Sequence, residues 1–311
     1  MTTSPVLRGA AHWHRPLMFF AAVMAGTAVV ALAGIFVDPR ILTGVPIWLK
    51  PFKFAVSLGI YAATIAWMLS LLPRRSRVAE WAATVIVATA TVEMLVIVGQ
   101  VVRGTTSHYN ETSALNGALW QSMGTAIMTL FAAHFLIAVI VVRQPLADRT
   151  AAYAVRLGLG LSLLGMLAAV PMVLPSAEPG IPDIAGSHTV GLPDGGPGLP
   201  LVGWSTVGGD LRIGHFVGLH ALQALPLLAI LLSRFLSGRL TVATRARLLL
   251  VAGAAYGVLT MSLTWQALRG QPLLRPDAGT LAAWAVLAIA TATAVAVVVA
   301  RGRRPELALA A

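Results

Sequence analysis

Eight separate apolar runs, each long enough to cross the hydrocarbon layer of a bilayer, leave this chain few folds to choose from. They extend from Leu17 to Val37, Phe54 to Leu72, Trp81 to Val102, Leu119 to Val142, Leu157 to Leu174, Ile213 to Leu232, Leu248 to Leu268 and Leu281 to Ala300. A helix needs about 20 residues for the crossing, and hydrocarbon demands that every backbone polar group be bonded inside the protein. The runs lack the period-two alternation of barrel strands, so they predict an all-α, polytopic membrane bundle of about eight transmembrane helices. Composition agrees: 58% of the 311 residues are hydrophobic and 11% are charged, too few to keep a soluble domain in solution.

The formal charge of +11 would point to nucleic acid in a soluble protein. No basic soluble domain exists here to carry that role, so nucleic acid is not an expected partner and membrane lipids are. Lys and Arg are about twice as frequent in the terminal segments and even-numbered connections as in the odd-numbered ones, which predicts cytoplasmic termini in a bacterial cytoplasmic membrane. Clusters such as Arg74-Arg75-Ser76-Arg77 and Arg245-Ala-Arg247 then read as topology determinants. The first run follows Arg8 and Arg15 and contains Ala31-Leu32-Ala33, like a cleavable leader. Its apolar core exceeds the usual leader length of about 7 to 15 residues, so it is read as a span. Cysteine is absent, which excludes disulfides and thiolate chemistry; a metal or haem would depend on His, carboxylate, amide or Met.

The chain also echoes itself. Gln100-Val-Val-Arg103-Gly104 closes the third run and Gln266-Ala-Leu-Arg269-Gly270 the seventh, while Lys53-Phe54 aligns with His215-Phe216. These matches predict two four-helix halves, residues 1–150 and 151–311, the second with a long outer loop at about 175–212. With four spans each, the halves enter and leave on one side and would be parallel repeats, whose seam is where binding sites tend to form.

Unusual residues gather in the connections assigned to the outer face. Pro46-Ile-Trp48-Leu-Lys50-Pro51-Phe-Lys53 sets two ammonium groups where the second run begins, and Arg103-Gly104-Thr-Thr-Ser107-His108-Tyr109-Asn110 follows the third. Ser107 and His108 are adjacent and so not a catalytic pair by themselves. Asn110-Glu111-Thr112 matches a glycosylation triplet common by chance. Six prolines between Pro175 and Pro200 preclude regular helix, so the loop is expected to be irregular and is placed across the outer mouth as a lid. Its end, Trp204 to Arg212 with Asp210, reads as better ordered than its middle.

Ionisable residues inside spans are costly and are functional candidates by default. Glu93 lies ten residues before Arg103, about 15 Å deep, and shares a helix face with Gln100 seven residues on. His215 and His220 are five residues apart and cannot aim at one ion from one regular helix, whereas His220 and Gln223 share a face that Glu93 would meet if the third and sixth spans packed together. His134 lies deeper; it could pair with His220 as axial haem ligands, but their depths differ by about 10 Å, and a histidine hydrogen-bonded between helices is the favoured reading. Gly253-Ala-Ala-Tyr256-Gly257 reads as a small-residue packing motif.

Two functional readings follow. In the first, Lys50, Lys53, Arg103, Arg212 and Arg269, opposed by Asp210 and Glu111, line an outward cavity between the halves that binds or transports an anionic or lipid-like small molecule. Gln100, Gln266, His108, His215 and Gln223 add contacts there, and Glu93 with His220 supplies proton coupling or gating. In the second, Glu93, His215 and His220 serve a membrane-embedded enzyme or redox protein, as acid, base or ligands of metal or haem, acting on a lipid or quinone. A scaffold subunit that docks a partner through its outer loops is a third class. No spacing signature names a metal, a cofactor or a substrate.

Overall fold

The computed structural model describes residues 13–174 and 184–302. Among these, eight helices are long and apolar enough to span a membrane: α1 (Arg15–Val37), α2 (Leu49–Ser70), α3 (Arg77–Arg103), α4 (Ala114–Arg143), α5 (Arg149–Leu167, prolonged by a one-turn segment at Val170–Val173), α6 (Arg212–Leu236), α7 (Val242–Leu268) and α8 (Ala278–Gly302). The chain is a multi-pass, all-α membrane protein. Each predicted run corresponds to one helix, and polar caps start three of the helices ahead of their apolar runs. Ser76 Oγ accepts the Ala79 N–H ahead of α3, Asp148 Oδ1 accepts from Thr150 and Ala151 ahead of α5, and Thr241 Oγ1 accepts from Thr244 ahead of α7. Each cap satisfies backbone donors that the first turn leaves unbonded.

Contacts divide the chain into two compact units, Met1–Arg143 with Pro171–Val207, and Gln144–Val170 with Gly208–Ala311. The first unit packs α1 against α2 and α3, α2 against α3, and α3 against α4. The long loop, contiguous in sequence with the second half, belongs to this unit from residue 184 to 207. It rests on a β-hairpin between α1 and α2, β1 (Ile41–Leu42) and β2 (Val45–Pro46), whose turn residues Thr43 and Gly44 have φ of 48° and 75°. Gly44 lies so close to the Gly195 backbone that a Cβ would collide with it. Beside the hairpin, Trp48 Nε1 donates to Asp38 at 2.8 Å, and Arg40 pairs with the same carboxylate at 2.6 Å while reaching the Val102 carbonyl at the end of α3.

The second unit packs α5, α6 and α7 mutually, with α8 against α7. Small residues set its spacing: a methyl group at Gly165 on α5 would collide with the Gly218 backbone on α6. In a bilayer, helix association relies on close van der Waals approach of this kind, since lipid supplies no hydrophobic drive. Gly253 and Gly257 of α7 pack on Leu157 and Leu161, and Tyr256 Oη donates to the Val217 carbonyl at 2.7 Å, so the Gly253–Gly257 motif is a packing surface.

Candidate functional site

The echoed motifs build matching turns. In each unit a glycine with φ near +70° ends the helix (Gly104 75°, Gly270 71°), and the following N–H returns to the glutamine carbonyl, Thr105 to Gln100 at 3.0 Å and Gln271 to Gln266 at 3.2 Å. Glycine is needed because the left-handed conformation is strained for other residues. The glutamine amide then donates to the carbonyl six residues on, Gln100 to Thr106 at 3.2 Å and Gln266 to Pro272 at 2.8 Å. The arginine reaches the start of the next helix: Arg103 to Asn116 at 2.8 Å, and Arg269 to Asp277 at 2.6 Å with its guanidinium over the Trp265 ring. All four side chains are therefore engaged with their own turns.

Other predicted residues of the second unit are also bonded within it. Buried Asp210 accepts Arg212 Nε at 2.9 Å and the Arg212 N–H at 3.0 Å, an ion pair that opens α6. His215 Nδ1 donates to the Gly165 carbonyl at 2.8 Å, tying α6 to α5. His220 Nδ1 donates one turn back to Phe216 and its ring stacks on Phe216 at 4.0 Å. Gln223 lies one turn further along α6, half-buried. In the first unit, Asn110 is buried, with its amide bonded to Thr105 and Thr106, and acts as a turn former.

Elsewhere in the first unit, chemistry-bearing groups from four segments come together. Lys50, in the first turn of α2, sets its Nζ 5.9 Å from the Phe54 ring centroid. That ring meets His108 edge-on at 5.8 Å, and His108 lies 5.6 Å from the Trp120 ring of α4 and 6.0 Å from Tyr109. Tyr109 is buried with φ of 60°, a left-handed conformation costly for a bulky residue, which brings its ring against Trp120 and His188, each at 5.0 Å. Such strain persists only where the surroundings enforce it, and it concentrates at functional sites.

The loop completes this cluster. His188 Nδ1 and Asp194 Oδ2 are 2.6 Å apart, and Asp194 also accepts the His188 and Thr189 N–H groups and the Ser187 hydroxyl. Burial alone would raise the Asp194 acid; the hydrogen bond and charge of His188 and the backbone donors outweigh it and hold the carboxyl well below its usual range. Lys53 donates to the Val202 carbonyl at 2.9 Å and the Ala185 N–H to Tyr109 at 2.9 Å, which fixes the loop over the Lys50 end of the unit. His108 is half-buried. Desolvation pushes its imidazole well below the ordinary value, and the charges of Lys50 and His188 press the same way, so it is neutral at physiological pH.

Deeper on α3, Glu93 is buried, 6% exposed. Deeper still, the Tyr61 hydroxyl of α2 and His134 Nδ1 of α4 are hydrogen-bonded at 2.8 Å with stacked rings. His134 is thus a histidine bonded between helices. Among the described residues, no three His, Asp or Glu side chains gather as a metal-ligand set.

Lys50, Lys53, Glu93 and His108 are the sequence candidates that this arrangement brings into one unit's interior. Sequence reasoning misses the roles of His188, Asp194, Tyr109, Trp120 and Phe54. The available signal is local: an acid six residues after a histidine, in a stretch too rich in proline and glycine to order itself without a side-chain hub. No protein-family model, no curated protein and no solved structure matches this chain.

Proposed function

We propose that the Lys50 end of the first unit is the binding site, on the extracytoplasmic side, for an anionic, lipid-like small molecule that the protein binds or transports. The observation that carries this reading is the convergence of three basic side chains, Lys50 from α2, His108 from the α3–α4 connection and His188 from the loop, around the Phe54, Tyr109 and Trp120 rings. An ammonium and imidazole N–H groups suit phosphate or carboxylate oxygens, and the rings suit the adjoining apolar body. The apolar face of the spans then carries any acyl tail without a further pocket. The extracytoplasmic placement follows from the distribution of Lys and Arg among the connections.

Lipid co-purification tests the reading. The full chain, extracted in mild detergent and analysed by native mass spectrometry, should retain added phosphatidic acid over phosphatidylcholine, and Lys50→Gln should abolish that preference. Inorganic phosphate as competitor separates a headgroup site from a phosphate site: displacement of the lipid marks the latter.

The 2.6 Å His188–Asp194 pair supports a second reading, acid–base chemistry on the bound lipid, because a carboxylate that fixes one imidazole nitrogen directs the other at a substrate. Under that reading incubation with phosphatidic acid yields a chemically altered lipid, and His188→Gln suppresses the product while binding persists.

A further inference from the structure

Arginine inside a span is costly, and in the second unit one arginine finds little in its own chain to answer its charge. Arg156 lies on α5, seven residues beyond Arg149 and so about 10 Å along the helix from its first turn. Its neighbours belong to the packed interior: Leu157 sits against Gly253 of α7, and Gly158 against the Ala221 and Leu222 backbone of α6. Arg156 is two residues from Gly158, which puts the two on nearly opposite sides of α5. The half-buried side chain bends back toward the start of the helix, where Nη2 donates to the Gln144 carbonyl at 2.9 Å.

That carbonyl is a neutral acceptor and leaves the cation unbalanced. Among the described residues Arg156 has no ion pair, and its Nε, shut off from solvent, has no hydrogen-bond partner. Gln144 Oε1 is buried and unbonded in the same way. The nearest carboxylate in sequence, Asp148, is occupied as the cap of α5, accepting the Thr150 and Ala151 N–H groups. Arg149 is exposed at the head of α5 and shares a helix face with Arg156, two turns away. A guanidinium set between span and rim, with no carboxylate, is matched by the anion most abundant at that level of a bilayer, the lipid phosphate. Its planar donors fit two phosphate oxygens at once.

We propose that Arg156, with Arg149 and the Gln144 amide, holds the phosphodiester of an anionic glycerophospholipid of the phosphatidylglycerol class as a resident lipid of the second unit. The α4–α5 connection is one of those that the distribution of Lys and Arg assigns to the cytoplasm, so the lipid belongs to the inner leaflet. Arg156 binds the phosphate from within the span and Arg149 from the rim, while a head-group hydroxyl donates to Gln144 Oε1. No covalent bond is made or broken. The lipid stays with the chain through mild extraction, so phosphatidic acid added afterwards reads the Lys50 end alone.

Native mass spectrometry tests this on the full chain, released by mild detergent from bilayers of phosphatidylglycerol and phosphatidylcholine in equal parts. Lys50→Gln is the parent, so that the anion site of the first unit does not contribute. The parent should retain phosphatidylglycerol over phosphatidylcholine, and Arg156→Gln should lower its occupancy at least about tenfold with helical content unchanged. Arg156→Lys keeps the charge and loses the planar fork, and should lower occupancy about threefold. Retention of the two lipids alike, or of phosphatidylglycerol undiminished in Arg156→Gln, overturns the inference. Displacement of the lipid by inorganic phosphate marks a free-phosphate site and overturns the lipid assignment. If Arg156→Gln does not fold, Arg156→Lys and Arg149→Gln decide: lowered occupancy in both supports the site, and unchanged occupancy in either overturns it.

Discussion

Asp194 receives the His188 side chain at 2.6 Å and the His188 and Thr189 backbone N–H groups at 3.1 and 2.9 Å, so one carboxylate shapes the whole segment from Ser187 to Asp194. Because the folded protein holds this acid below its ordinary value, its contribution to loop order is fully present above about pH 4 and is lost as pH falls through the depressed value. Hydrogen exchange of residues 187–194 should stay slow from neutral pH to about pH 4. Asp194→Asn should raise it at least tenfold at neutral pH, with the spans unaffected.

The Tyr61–His134 pair carries a different expectation, since it joins α2 to α4 where water is scarce. Tyr61→Phe removes the hydroxyl and leaves the stacked ring, at a cost of about 1 kcal/mol. A double-mutant cycle with His134→Phe, read by thermal unfolding in micelles, should show coupling of similar size. Additive single effects would mean that the hydrogen bond contributes nothing measurable.

Gly104 and Gly270 are the most exacting positions of the two echoed turns. With φ of 75° and 71°, either glycine replaced by alanine should destabilise the protein by about 1 kcal/mol or more. Gly99 is the control. It sits inside α3 with nothing within 4 Å of where an alanine methyl would lie, so Gly99→Ala should be neutral or stabilising by up to about 1 kcal/mol. Equal effects at Gly99 and Gly104 would contradict the assignment of the echo to turn geometry.

The spans are legible in the sequence because hydrocarbon imposes one rule on every segment, and length with hydropathy reads it directly. The site is legible only in part. Lys50, Lys53, Glu93 and His108 stand out as charged or titratable groups at or inside membrane boundaries, where their cost demands a reason. Gln100, Arg103, Gln266 and Arg269 stand out equally, yet their side chains bond the turns that carry them; a polar pattern repeated at a helix end looks the same whether it faces a ligand or its own carbonyls. His188 and Asp194 escape notice because their meaning depends on a chain reversal within an irregular loop, and on that loop lying against α2 and Tyr109, both tertiary facts. His220 and Gln223 share a helix face, but His220 bonds backward to Phe216, a local contact that periodicity does not reveal.

Lys50 is the recognition cation on which the proposed anion site depends. The most direct measure of that role is the affinity of the full chain for dihexanoyl phosphatidic acid against dihexanoyl phosphatidylcholine, in wild type and in Lys50→Gln. Wild type should prefer the anionic lipid by at least tenfold, and Lys50→Gln should bind the two alike, as expected for loss of one charge-assisted contact. Equal affinity in wild type, or a preference that survives the substitution, would contradict it.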